Sequence, residues 1–139
     1  MNQIAIDFGT SNTVVARWNQ ATQQPETLKL PGLSLCLGQN PPLIPSLAYV
    51  ENAAQAQVIV GQSVRDRGLD LTQDSRFFRN FKRGIGAAVQ GFVPELDGHT
   101  VTLEQVGQWF LTQIINTLRE SDWAADSLVF TVPVDSFEA

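Results

Sequence analysis

Two apolar, β-rich runs flanking four small residues dominate the start of the chain. Ile4-Ala5-Ile6-Asp7-Phe8 is followed by Gly9-Thr10-Ser11-Asn12 and then by Thr13-Val14-Val15-Ala16-Arg17-Trp18. Such runs around a tight small-residue turn fold as an antiparallel hairpin. The pattern departs from two common nucleotide-binding openings, because no Gly-Lys-Ser/Thr follows the glycine and the turn leads into a strand rather than a helix. The polar stretch 19–24, ending at Pro25, predicts a second turn, and Thr27-Leu28-Lys29-Leu30 a third strand. The chain therefore opens as a three-stranded meander.

Gly32, Gly38, Pro41, Pro42 and Pro45 crowd the next segment, which reads as an extended crossing and a subdomain boundary. Ser46 to Val50 and Gln57 to Val60 predict two more strands, and Gln62 to Gly68 a short helix. Ser75 reads as the cap of another short helix, with Phe77, Phe78 and Phe81 on one side, Arg76, Arg79 and Arg83 on the other, and Gly84 as its stop. Asp97-Gly98 is a turn signal. Thr102 and Gln105 form a capping box for the longest helix, whose Leu103, Val106, Phe110, Leu111, Ile114, Ile115 and Leu118 recur at three and four residues. Leu128 to Val132 predicts a strand closed by Pro133. Asp135 and Glu138 are spaced as a second capping pair with no helix behind them, so the expectation is the front part of a longer protein.

Composition narrows the chemistry. With 139 residues and 43% hydrophobic content the chain can bury a core, but not two large ones. It has no apolar run of the roughly eighteen residues that a membrane span needs, and Met1-Asn2-Gln3 lacks the basic and apolar segments of a secretory signal. A cytoplasmic protein is expected. One cysteine, Cys36, and one histidine, His99, exclude a disulfide framework and a multi-ligand zinc site. Cys36 reads as a loop or small core residue, His99 as a turn residue, and Trp18, Trp109 and Trp123 as packing groups. The net charge of -5 argues against nucleic acid as a partner. Six of the nine basic residues nevertheless cluster at Arg65, Arg67, Arg76, Arg79, Lys82 and Arg83. That stretch reads either as a solvated face or as the neighbourhood of an anion site.

Asp7 is the anomaly. A carboxylate within an apolar strand that looks buried requires a cation or a set of donors. It stands one residue before a turn that offers a glycine, consecutive backbone N–H groups and two hydroxyls, all suited to phosphate oxygens. A carboxylate beside such a turn points to magnesium held through water. The alternative is an ordinary hairpin whose Asp7 pairs with a nearby N–H, and turn chemistry alone leaves both open.

The run Ile4-Ala5-Ile6-Asp7-Phe8-Gly9-Thr10-Ser11-Asn12-Thr13 resembles the first phosphate motif of the actin, sugar-kinase and heat-shock chaperone ATPase superfamily. Later segments resemble the seventy-kilodalton heat-shock (DnaK-type) chaperones within it: Ile44-Pro45-Ser46-Leu47-Ala48-Tyr49, Val60-Gly61-Gln62, Phe81-Lys82-Arg83-Gly84-Ile85-Gly86 and Phe130-Thr131-Val132-Pro133, in the family's order. The resemblance implies an α/β fold, the ribonuclease H-like first lobe of an actin-like ATPase domain: a mixed sheet with an antiparallel meander and flanking helices. An inner subdomain, about 1–40 and 99–139, would carry a small inserted α+β subdomain, about 41–98.

It further implies that Asp7 organises Mg2+ through water, that Gly9, Thr10, Ser11 and Asn12 hold the phosphates of ATP or ADP, and that Lys82 is the catalytic lysine. Pro133 would relay nucleotide state to the rest of the molecule. The basic stretch then becomes one functional lysine among surface arginines. The implied partners are ATP, unfolded polypeptide and co-chaperones of the full-length protein. The chain alone would supply half a cleft, inactive by itself, with an exposed apolar surface through which it dimerises. Two departures stand out: Val134-Asp135-Ser136-Phe137 replaces the family's aromatic and Asn-Asp after the proline, and the segment 86–102 is shorter than usual. Two other readings remain at this point, an actin-like cell-shape filament ATPase and a non-catalytic interaction module on the same fold.

Overall fold

The computed structural model of the chain describes residues 3–88, 93–121 and 127–131. It is a mixed α/β structure. In chain order the elements are β1 (Gln3–Phe8), β2 (Asn12–Asn19), β3 (Gln24–Thr27), β4 (Ile44–Pro45), β5 (Leu47–Asn52), β6 (Gln57–Val60), α1 (Gln62–Asp66), β7 (Phe77–Arg79), β8 (Glu95–Leu96), β9 (His99–Thr100), α2 (Leu103–Glu120) and β10 (Ser127–Thr131). Short 3₁₀ turns occupy Leu69–Leu71 and Phe81–Gly84.

The first sheet has the order β10-β1-β2-β3, with β4 also paired to β2. The expected hairpin is present, with Ile6 opposite Val15. β10 runs parallel to β1, setting Thr131 beside Asp7. Alternation in β1 sends Ile4 and Ile6 into the core and leaves Gln3 and Asp7 exposed. The third strand lies earlier than the sequence suggests. It spans Gln24–Thr27 and pairs Pro25 with Trp18, which proline permits because β3 is an edge. Leu28 and Leu30, expected within it, follow it and are buried.

The second sheet is antiparallel, with β5 between β6 and β7. Here the expected helix over residues 75–84 is corrected. Phe77 and Phe78 pair with Tyr49 and Ala48, Asn80 turns left-handed at φ 54°, and only a 3₁₀ turn follows. The three aromatics fit helical spacing, but β5 has an open edge, and Phe78 buries its ring by lying on it. Tertiary pairing overrides the local pattern. A small hairpin, β8–β9, closes through Asp97-Gly98, whose φ values of 52° and 81° are those of a type I′ turn.

α2 forms where the periodicity placed it. Thr102 caps it by accepting from the Gln105 N–H at 3.2 Å, while the Gln105 side chain reaches Gln108 rather than completing the box. Its buried face of Val106, Phe110, Ile114 and Leu118 joins one apolar cluster with Ile4, Ile6 and Val15 of the first sheet and Ala48, Val50, Val58 and Val60 of the second. Burying each such side chain contributes about 1.5–3 kcal/mol, so the helix is what holds the two sheets together. Among the described residues, no helix is long and apolar enough to cross a membrane.

Candidate phosphate turn and lysine

β1 ends at Phe8 and β2 begins at Asn12, so three residues make the reversal. Gly9 is required there by close approach: a Cβ on it would stand 2.1 Å from the Asn12 carbonyl oxygen. The turn is held from behind by Ser46, which donates its hydroxyl to the Gly9 carbonyl at 2.8 Å and its N–H to the Ser11 carbonyl at 2.9 Å. The Thr13 hydroxyl meets that of Ser46 at 2.9 Å, and both residues are buried. Among the described residues, the N–H and hydroxyl groups of Thr10 and Ser11 make no hydrogen bond, and Ser11 is exposed. Free donors at the end of a strand are what an anion needs.

Lys82 arrives from the other sheet. The 3₁₀ turn after β7 carries its ammonium to the Phe8 carbonyl, to which it donates across 74 residues of sequence. The same nitrogen stands 5.5 Å from the centroid of the Phe8 ring. That ring packs on Phe81 at 6.0 Å and Phe110 at 5.7 Å, with 5.4 Å between the latter two. Three aromatics, from β1, the lysine's own turn and α2, therefore fix the lysine relative to the turn.

Asp7 differs from its expected setting. It lies on the face of β1 opposite Ile4 and Ile6, exposed, and its Oδ1 accepts a hydrogen bond from the Thr131 hydroxyl at 2.8 Å. No buried charge needs compensating. The carboxylate is available at the end of the strand that leads into the turn. Magnesium keeps most of its waters and takes one or two carboxylates plus phosphate oxygens, so Asp7 and the turn fit one wall of such a site. Among the described residues, no three His, Cys, Asp or Glu side chains gather as a metal centre by themselves.

Arg76 is not the solvated surface residue expected. Its guanidinium binds both oxygens of Asp97 at 2.7 and 2.9 Å and the carbonyls of Val50 and Glu51 at 3.0 Å. Asp97 also accepts from the Ala53 N–H. Arg76 first, and the Ala53 N–H second, hold the Asp97 carboxyl down at about 2. Arg79 and Arg83 are exposed and form no ion pair among the described residues. Trp18, expected to pack, is 50% exposed, Trp109 packs against the core, and Cys36 lies exposed in a loop. Pro133 and Trp123 lie outside the described residues.

Thus Gly9, Thr10, Ser11, Asn12 and Lys82 are brought to one end of β1, with Asp7 beside them on the strand's outer face. Ser46 and Thr13, to which the sequence gives no role in the site, prove to be the turn's supports. The available signal was a hydroxyl inside each apolar run, since buried hydroxyls must find partners. Comparison with protein-family models gives no match, and comparison with curated proteins gives none.

Proposed function

We propose that the chain forms the first lobe of a ribonuclease H-like, actin-like ATPase of the heat-shock chaperone type. Its full-length protein binds ATP with magnesium, hydrolyses it, and couples hydrolysis to folding or remodelling of polypeptides with co-chaperones. The observation that carries this reading is the Lys82 ammonium bound to the Phe8 carbonyl, immediately beside a turn with free donors. The resemblance alone assigned those two motifs to one site, and their proximity supports it.

The division of labour follows from the groups present. Donors of the turn, from Thr10 to Asn12, bind phosphate oxygens in the ground state. Lys82, already desolvated on one side by Phe8, directs a positive charge at the same place, where it stabilises charge redistributed during phosphoryl transfer. Asp7 would hold magnesium through water. Magnesium supplies charge neutralisation on the phosphate oxygens when bound. One lobe leaves the opposite side of the site open to water, so the 139 residues alone should turn over negligibly.

The test is steady-state ATP hydrolysis and ATP titration on the full-length protein. Lys82→Ala should lower kcat by about a hundredfold to a thousandfold, or about 2.7–4 kcal/mol, with a much smaller change in ATP affinity. Arg79→Ala serves as the control. Equal behaviour of the two variants would reduce the lysine to part of a basic surface, and absence of ATP binding by the full-length protein would end the ATPase reading. Nucleotide-dependent polymers in sedimentation would favour the filament alternative.

A further inference from the structure

We propose that Ser46, backed by Thr13, is the positioning residue that sets which way the turn's amides point. Ser46 stands where the chain leaves the first sheet at β4 and enters the second at β5, and it is buried. A hydroxyl has one hydrogen to give. That of Ser46 is committed to the Gly9 carbonyl, so at their 2.9 Å contact Thr13 donates and Ser46 accepts. The relay therefore has one direction: Thr13 to Ser46 to Gly9. The Ser46 N–H adds a second anchor on the Ser11 carbonyl.

The consequence lies on the other side of each peptide. No peptide bond among the described residues is cis, and in a planar trans peptide the carbonyl and the following N–H point in opposite directions. Drawing the Gly9 and Ser11 carbonyls inward thus turns the Thr10 and Asn12 N–H groups outward, as a pair of donors for one anion. Lys82 does the same to the neighbouring peptide by binding the Phe8 carbonyl. The two consecutive carbonyls, Phe8 and Gly9, are gripped by side chains from opposite ends of the second sheet's chain path.

The turn geometry stands on these hydrogen bonds alone, whereas its use for phosphate rests on the ATPase reading. Two measurements keep these separate. The first follows hydrogen exchange at the position 46 amide in Thr13→Val, which keeps side-chain shape and removes only the hydroxyl. Loss of one hydrogen bond in the relay should speed that amide by about threefold to tenfold, with the Ile6 and Val15 amides unchanged. The second titrates the full-length protein with Mg-ATP and, separately, with adenosine. Ser46→Ala should weaken ATP by about tenfold and leave adenosine unaltered, because the lost constraint acts only where phosphate sits. A general loosening would instead weaken both ligands equally and overturn the proposal, as would unchanged exchange in Thr13→Val. If the full-length protein binds no ATP, the ATPase reading falls, and exchange at position 46 alone then upholds or overturns the role of Ser46.

Discussion

Gly9 shows how little freedom a single position can have. A methyl group there would overlap the Asn12 carbonyl, which is backbone and cannot swing aside as a side chain would. Gly9→Ala must therefore displace the turn, at a cost of about 1–3 kcal/mol, the usual range for atoms forced into a packed place. A lowered urea midpoint with an unchanged denaturant slope is the expected result. An unchanged midpoint would mean that the turn yields freely. The glycine was legible from turn chemistry, though the reason is contact rather than a left-handed φ. The apolar run around Asp7 looks buried, which holds for only one face of the strand. The alternation of Ile4 and Ile6 already contained the answer, since Asp7 falls on the other side. Ser46 and Thr13 stand out as hydroxyls in apolar runs, but their partners were not legible, because nothing in a linear run tells which distant carbonyl a hydroxyl will find.

At the scale of elements, α2 and the first hairpin were readable because each carries its own periodicity, cap or turn. β7 was not. Its strand state depends on the open edge of β5, which lies far away in sequence, whereas Phe77, Phe78 and Phe81 share a face only at helical spacing and the paired strand sets Phe77 and Phe78 on opposite faces. The same dependence hid the role of Arg76, which joins β5 and β7 to the β8–β9 hairpin through Asp97. Because the Asp97 carboxyl sits at about 2 in the fold against an ordinary 3.8, the clamp's contribution is complete above about pH 4 and disappears as pH falls towards 2. The difference in urea midpoint between the wild type and Asp97→Asn should accordingly be largest at pH 5 and shrink by pH 2. A pH-independent difference would show that the charge contributes nothing.

Among the described residues, the first sheet has one covered face and one open one. α2 lies on the side of Ile4, Ile6 and Val15, whereas Ala5, Ala16, Trp18, Pro25 and Val129 line an open groove of about 300 Å³ on the other. The outer edge of β10 has no partner among the described residues, and Leu128, Val129 and Phe130 along it are 36–42% exposed. Unprotected apolar edges pair with one another. The 139-residue chain should self-associate in light scattering as its concentration rises, and Val129→Lys should suppress this. A constant monomer mass across the series would refute it. The mixed α/β class was legible in the sequence, and the parallel pairing of β10 with β1 was not, because no local signal names a partner so distant.

That pairing also has a consequence in time. β1, Gln3–Phe8, is synthesised well before its neighbour β10, which begins at Ser127. At roughly 5–20 residues per second of synthesis, one side of the central strand waits about 6–25 s for its permanent occupant. Closing so long a loop adds to the delay. For that interval the segment carrying Asp7 and the turn is bounded on one side only by whatever the cell supplies, so nascent-chain protection matters most for this strand.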